Sequence, residues 1–424
     1  MTSRLPPEIL KNIFQIIYGH KGCYRSDEHL NNLFSCLLVN KEWCESAIPI
    51  LWSEVFYPIQ TIRIGTITTY LSCLNLEKRK TLQNQAGVNI PIQYDRPTFN
   101  YASQLTELNF DKFLKTIFSW CKKYRKPYRN TKRNEFMIRS LLELFSSNCA
   151  NIKYFAMNNV PNYRLYDDYY DNLVTIDFKL LTEPNIRDCL SGVKELRLEW
   201  DTLVLNGFLT ALSHTCRSLE TLDTNFAHDP EFANLFISKE QAEDLAILIS
   251  AQSNLQKFIL QDYQNYTHYF LNSLNTQTLS LKVIEFYSVD FLGCISFEVF
   301  KNCHLLTHIT FEDCSNITVD MVKPLLNASF PNLKYVHVYN NPDYYDPPCE
   351  DLVKWADKKN FKGKWWQIKL NDLDLLRIIK YFIYFIFSVF SYWLFKPFIM
   401  GLANILLKYL SWKLGLHETM NRGY

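Results

Sequence analysis

Leu306-Thr307-His308-Ile309-Thr310-Phe311-Glu312-Asp313-Cys314-Ser315-Asn316-Ile317-Thr318 decides the fold. Leu306, Ile309 and Phe311 follow an apolar-x-x-apolar-x-apolar template, and the alternation of its last positions puts Ile309 and Phe311 on one face of a strand. The same template recurs as Ile152/Phe155/Met157, Leu173/Ile176/Phe178, Val193/Leu196/Leu198, Leu219/Leu222/Thr224, Leu255/Phe258/Leu260, Leu281/Ile284/Phe286 and Leu333/Val336/Val338, with starts 20 to 36 residues apart. Self-similarity at that period signals a solenoid, in which each unit hides its apolar edge only against its neighbours. Between strands lie helical patterns such as Lys239 to Ser250, where Ala242, Leu245, Ala246 and Ile249 keep helical spacing. One strand and one helix per repeat is the expectation, over residues 150–345.

The units resemble leucine-rich repeats, most clearly where Leu306, Ile309 and Phe311 lead into Cys314, Ile317 and Thr318, as in the cysteine-containing variety often found downstream of an F-box. The resemblance implies one parallel sheet on the concave side of the solenoid. Strand parity sends Asp177, Arg197, Asp223, Glu285, Thr310 and His337 away from the core, making them the candidate residues for reading a protein target.

The N-terminal residues carry a second pattern. Leu5-Pro6-Pro7-Glu8-Ile9-Leu10 opens a helix with proline in its first turn and an acid near the positive dipole end. Ile9, Leu10, Ile13, Phe14 and Ile17 follow; a polar stretch from Gly19 to Asn32 interrupts; then come Leu33 to Val39, Trp43-Cys44 and Ile48-Pro49-Ile50-Leu51-Trp52. This is a small three-helix cluster with more apolar side chains than so short a segment can hide, so it needs a partner. Leu-Pro-Pro-Glu-Ile-Leu, Ile13-Phe14, the Cys36 to Cys44 segment and Ile48 to Trp52, in this order, resemble the F-box over about residues 3–56. That family docks on a Skp adaptor and through it on a cullin, which implies adaptor contacts or helix positioning by Leu5, Pro6, Ile9, Leu10, Ile13, Val39 and Trp43.

The expected architecture is therefore multidomain: an all-α F-box over 1–56, a helical connector and N-terminal cap over 57–149, the α/β leucine-rich-repeat solenoid, a C-terminal cap or linker over 346–374, and an apolar helical tail over 375–424. In the connector, Thr69 to Leu76, Asp111 to Cys121 and Met137 to Phe145 read as helical and Asn89 to Thr98 as extended. Within the tail, Ile378 to Phe395 is apolar nearly all round, with Arg377, Lys380 and Lys396 placed to snorkel, so membrane association is expected over a buried cap.

Composition narrows the chemistry. With 48% apolar residues and 45 basic against 43 acidic side chains, the net charge of +2 exerts no overall pull on nucleic acid, and no specific nucleic-acid partner is expected. The seven cations among residues 122–133 read as a solvated loop. Only 11 glycines occur, and no HExxH, GxSxG or GxxxxGK pattern is present, which leaves metalloprotease, hydrolase and nucleotide-binding templates without support. Cys303, His304, His308 and Cys314 straddle the Leu306/Ile309/Phe311 strand, and its parity argues against their closing a tetrahedral zinc shell. No catalytic residue, metal or cofactor is assigned. Twelve cysteines without a CxxC pair, and no secretory pattern at the N-terminus, point to reduced thiols in the cytoplasm or nucleus. The function expected is that of a non-catalytic substrate receptor of a Skp–cullin–F-box ubiquitin ligase; the alternative is a repeat scaffold or a membrane-tethered interaction protein with no ligase role.

Overall fold

The computed structural model describes residues 5–19, 27–56, 63–87, 97–124, 131–148, 151–158, 178–199, 207–226, 238–263, 266–342 and 346–361. It is an α/β, solenoid-like arrangement preceded by helices. Eight strands form one sheet in chain order: β1 (Glu107–Asn109), β2 (Tyr154–Asn158), β3 (Glu195–Glu199), β4 (Thr221–Asn225), β5 (Lys257–Gln261), β6 (Val283–Tyr287), β7 (His308–Glu312) and β8 (Tyr335–Tyr339). Every neighbouring pair is parallel and shares one register, so Leu108, Phe155, Leu196, Leu222, Phe258, Ile284, Ile309 and Val336 make a continuous row.

That row is buried, as are the template positions on either side of it, apart from Leu333 and Val338 at the final strand, which are partly buried. Thr224 fills an apolar slot without penalty because its hydroxyl donates to the Ile259 carbonyl at 3.1 Å. Covering helices follow the strands, among them α8 (Pro184–Leu190), α9 (Phe208–Thr215), α10 (Lys239–Ser250), α11 (Thr267–Ser273) and α12 (Val319–Asn327), with α13 (Glu350–Phe361) after β8. The α10 helix starts in a capping box between Ser238 and Gln241 and buries Ala242, Leu245 and Ile249.

Two expectations about the sheet are corrected. Leu173 and Ile176 lie outside the described residues, and β2 and β3 pair directly with no strand between them. Phe178 instead begins a buried turn of 3-10 helix, Phe178–Thr182, that packs near α9. The eighth strand is β1, inside the segment expected to be a connector. Leu105, Leu108 and Phe110 fit the same template, and the chain passes straight from that three-residue strand into α6 (Phe110–Tyr124).

Ahead of β1, α4 (Ile64–Cys73) and α5 (Leu76–Ala86), and between β1 and β2, α6 and α7 (Thr131–Ser147), join the sheet's core. Helix α5 was not expected; it is anchored by Arg79, which is buried yet donates to the carbonyls of Leu74 and Ser72 at 2.8 and 2.6 Å, closing the C-terminal end of α4. The first three helices are α1 (Pro7–Tyr18), α2 (Asp27–Leu37) and α3 (Lys41–Ser53). Helix α2 begins inside the stretch read as a polar interruption, because Leu30 and Leu33 already face the small core built with Leu10, Phe14, Tyr18, Ala47 and Leu51.

Trp52 packs against both this small core and the larger one, its ring 5.2 Å from Tyr70 and 4.4 Å from Tyr101. The Thr106 N–H donates to the Ser53 carbonyl at 3.0 Å, so the end of α3 is tied directly to the entry of β1. Among the described residues no helix is long and apolar enough to cross a membrane. The apolar tail, Ile378 to Phe395, lies outside the described residues, as do most of Asn89 to Thr98 and residues 125–130 of the basic run.

Candidate functional site

Two surfaces stand out, one at each end of the coupling through Trp52. The first is on the three helices. Helix α1 sends Leu10, Phe14 and Tyr18 inward at i, i+4, i+8, and the adjoining stripe Ile9, Ile13, Ile16 at i, i+4, i+7 remains outside or half-buried. Leu5, Ile9, Ile16, Phe34, Leu38 and Val39 are all exposed, Leu38 by 88%. Six large apolar side chains exposed within residues 5–39 exceed what a surface facing only water normally carries. Ile13, Leu37 and Trp43 pack half-buried against the small core beside them.

Trp43 is positioned from its own helix start. Asn40 is extended and its side-chain oxygen accepts the Trp43 N–H at 2.9 Å, an N-cap that fixes the first turn of α3. The Trp43 ring then meets Phe14 edge-on at 5.3 Å. Of the residues expected at an adaptor contact, Leu5, Pro6, Ile9 and Val39 are exposed, Ile13 and Trp43 are partly buried, and Leu10 lies in the core, where it holds the helices together. Ile16, Phe34 and Leu38 are further exposed apolar residues of the same three-helix unit. Phe34 has the Arg63 guanidinium 5.5 Å above its ring.

A cleft of about 710 Å³ runs between α1, the end of α3 and the entry of β1, lined among others by Lys11, Gln15, Ile16, Glu54, Gln104 and Glu107. No histidine, cysteine or aspartate lines it.

The second surface is the open face of the sheet. Its central row is Asn109, Ala156, Arg197, Asp223, Ile259, Glu285, Thr310 and His337, so five of the six residues expected to read a target lie in one line across the strands. Asp177 is outside the described residues. Thr310 is a correction: only 6% of it is exposed, because a short side chain between Glu285 and His337 is overshadowed by its neighbours.

Flanking rows complete the face and were missed, although they sit two residues from the central positions and strand periodicity puts them on the same side. They include Tyr154, Glu195, Lys257, His308 and Tyr335 on one side, and Glu199, Gln261, Tyr287, Glu312 and Tyr339 on the other. Arg197 meets Glu199 at 2.7 Å and Asp223 at 3.7 Å, and Lys257 meets Glu285 at 3.1 Å. Burial pushes the Asp223 carboxyl up, with Arg197 and a hydrogen bond from Gln261 opposing it. Burial also raises the Tyr287 phenol far above its usual value, reinforced by Glu285 and Glu312. On β8, Tyr335, His337 and Tyr339 form a column with centroids 6.1 and 6.3 Å apart and rings nearly parallel.

Cys303 and Cys314 are buried; their thiols lie against the Val299 and Phe286 carbonyls, and burial pushes both up to about 12. No group of three or more metal-ligating side chains is assembled among the described residues. No protein-family model matches the chain, and no curated protein matches it in sequence.

Proposed function

We propose that this chain is a non-catalytic substrate receptor of a Skp–cullin–F-box ubiquitin ligase, with residues 5–56 docking on the adaptor and leucine-rich repeats holding the target. The observation that carries this is the exposed apolar surface of Ile9, Ile16, Leu38 and Val39 on a three-helix unit whose own core is already filled by Leu10, Phe14 and Leu33. Such a surface gains most of its stability from a partner, and buried aliphatic and aromatic anchors dominate contacts of this kind. The parallel strands, one per repeat in constant register, support the repeat assignment. The tie from Ser53 to Thr106 and the shared Trp52 support the mechanism, because they keep the target-binding sheet in a fixed relation to the docking helices. Proximity is then the whole contribution: a held target presents its lysines to a conjugating enzyme at raised effective concentration, with no covalent step by this chain.

Affinity purification of the full chain from cells tests this. A Skp-type adaptor and a cullin should co-purify, and should be lost when residues 1–56 are deleted while the repeats remain folded. Recovery of neither with the full chain would leave the scaffold function in its place. Residues 378–395 would add a membrane tether facing the repeats to the cytosol; carbonate extraction with and without residues 376–424 tests that separately.

A further inference from the structure

We infer that the open face of the sheet takes an extended, lysine- or arginine-rich protein segment lying across the strands. This deepens the proposed function by naming the class of target, and its test does not depend on adaptor binding.

Charge is partitioned unevenly in this molecule. The chain as a whole carries a formal +2. Among the described residues, the open face carries five carboxylates, Glu195, Glu199, Asp223, Glu285 and Glu312, against the two strong bases Arg197 and Lys257. Both bases are already engaged, Arg197 with Glu199 and Asp223 and Lys257 with Glu285. The partner of Glu312 is His337 at 3.7 Å, which is a cation only when protonated. A cationic ligand meets complementary potential here, and a phosphate backbone meets repulsion, which turns the face toward protein and away from nucleic acid.

Aromatic rings add a second attraction for the same chemistry. Tyr335 and Tyr339 are 45% and 47% exposed on the edge strand, in column with His337, and a lysine or arginine over such rings gains a cation–π contact. Spacing sets the length. Strands lie about 4.8 Å apart, so eight of them span roughly 34 Å, the length of about ten extended residues. Asp223 in β4 and Glu285 in β6 are two strands apart, about 10 Å, which matches every third residue of an extended polyproline II segment, whose three-residue turn returns the side chain to the same face.

Fluorescence anisotropy with the full-length protein tests the assignment, using a 12-residue peptide with lysine at every third position and its glutamate counterpart. The lysine peptide should bind, more weakly as salt rises, and the glutamate peptide should not. Glu195→Gln/Glu312→Gln should weaken binding at least five-fold, and Tyr335→Ala/Tyr339→Ala at least three-fold, with thermal melts confirming that each variant is folded. Asp320→Asn/Glu350→Gln, which removes the same charge from α12 and α13, should stay within two-fold of the wild type. Equal losses in the face and helix variants, no loss in either face variant, or comparable binding of the two peptides would overturn the proposal. An adaptor titration on the same samples separates the two claims: peptide binding without adaptor binding removes the ligase function and leaves this one standing, and the converse removes only this one.

Discussion

The side-chain amide of Asn360 holds both backbone groups of Val336: its oxygen accepts the Val336 N–H at 3.1 Å and its nitrogen donates to the Val336 carbonyl at 2.7 Å. Val336 lies in β8, the last strand of the sheet, and Asn360 comes from α13, so a helix supplies the contacts the main chain of that strand needs. The device repeats along the molecule. Asn340 bonds the N–H and carbonyl of Cys314, Gln252 serves Leu219 and Cys216, and Gln277 serves Leu255 and Gln252. Each amide satisfies backbone groups that the buried turns would otherwise leave unpaired.

Replacing Asn360 with alanine should therefore cost about 2 kcal/mol, the scale of leaving buried or half-buried backbone groups unmatched. Urea denaturation should show a lowered midpoint. The variant should also aggregate faster on standing, because the N–H and C=O groups of an uncovered edge strand invite pairing with another chain.

Trp52 bridges the two cores, with Tyr70 and Tyr101 on one side and the three-helix unit on the other. Trp52→Ala should destabilise the protein by about 3 kcal/mol and speed limited proteolysis between residues 53 and 106. Unchanged proteolysis kinetics would mean that the two parts are not coupled through this residue.

Buried thiols contribute stability that is lost at alkaline pH. Burial pushes Cys189, Cys216, Cys303 and Cys314 up to about 12 from 9.0. Each folded-state value is raised, so the unfolded chain loses these protons first. Their contribution is fully present below pH 9, and falls as pH climbs from 9 toward 12. Denaturation midpoints should be flat with respect to these groups through neutral pH and drop across that window. The same thiols should resist aromatic disulfide reagents at pH 8 until denaturant is added.

The template positions were legible because a strand that buries one side needs apolar residues there, and Leu222, Phe258, Ile284 and Ile309 meet that demand in plain alternation. The same rule over-read Phe178 as a strand residue, since apolar residues at that spacing also arise in covering elements, where Phe178 lies. It passed over Leu105, Leu108 and Phe110 because Phe110 both ends the template and begins α6. Arg79 gave no signal, as a charged residue reads as exposed until the carbonyls it caps are known. The three N-terminal helices were legible from motif order, but not the division between Leu10 inside and Ile9 outside, which helix packing decides. On the sheet face, parity found the central row, and extending it by two residues either way would have found Glu195, Tyr287 and Glu312.

Titration of a purified Skp-type adaptor into the full-length protein tests the central claim most directly, comparing wild type with Ile9→Glu/Val39→Glu. Both substituted side chains are exposed, at 44% and 56%, so the helices should keep their circular dichroism. The account predicts a one-to-one complex with a dissociation constant of about 1 μM or tighter, weakened at least 100-fold by the double substitution, about 2.7 kcal/mol or more. No binding by the wild type, or binding untouched by charges placed at Ile9 and Val39, would contradict it.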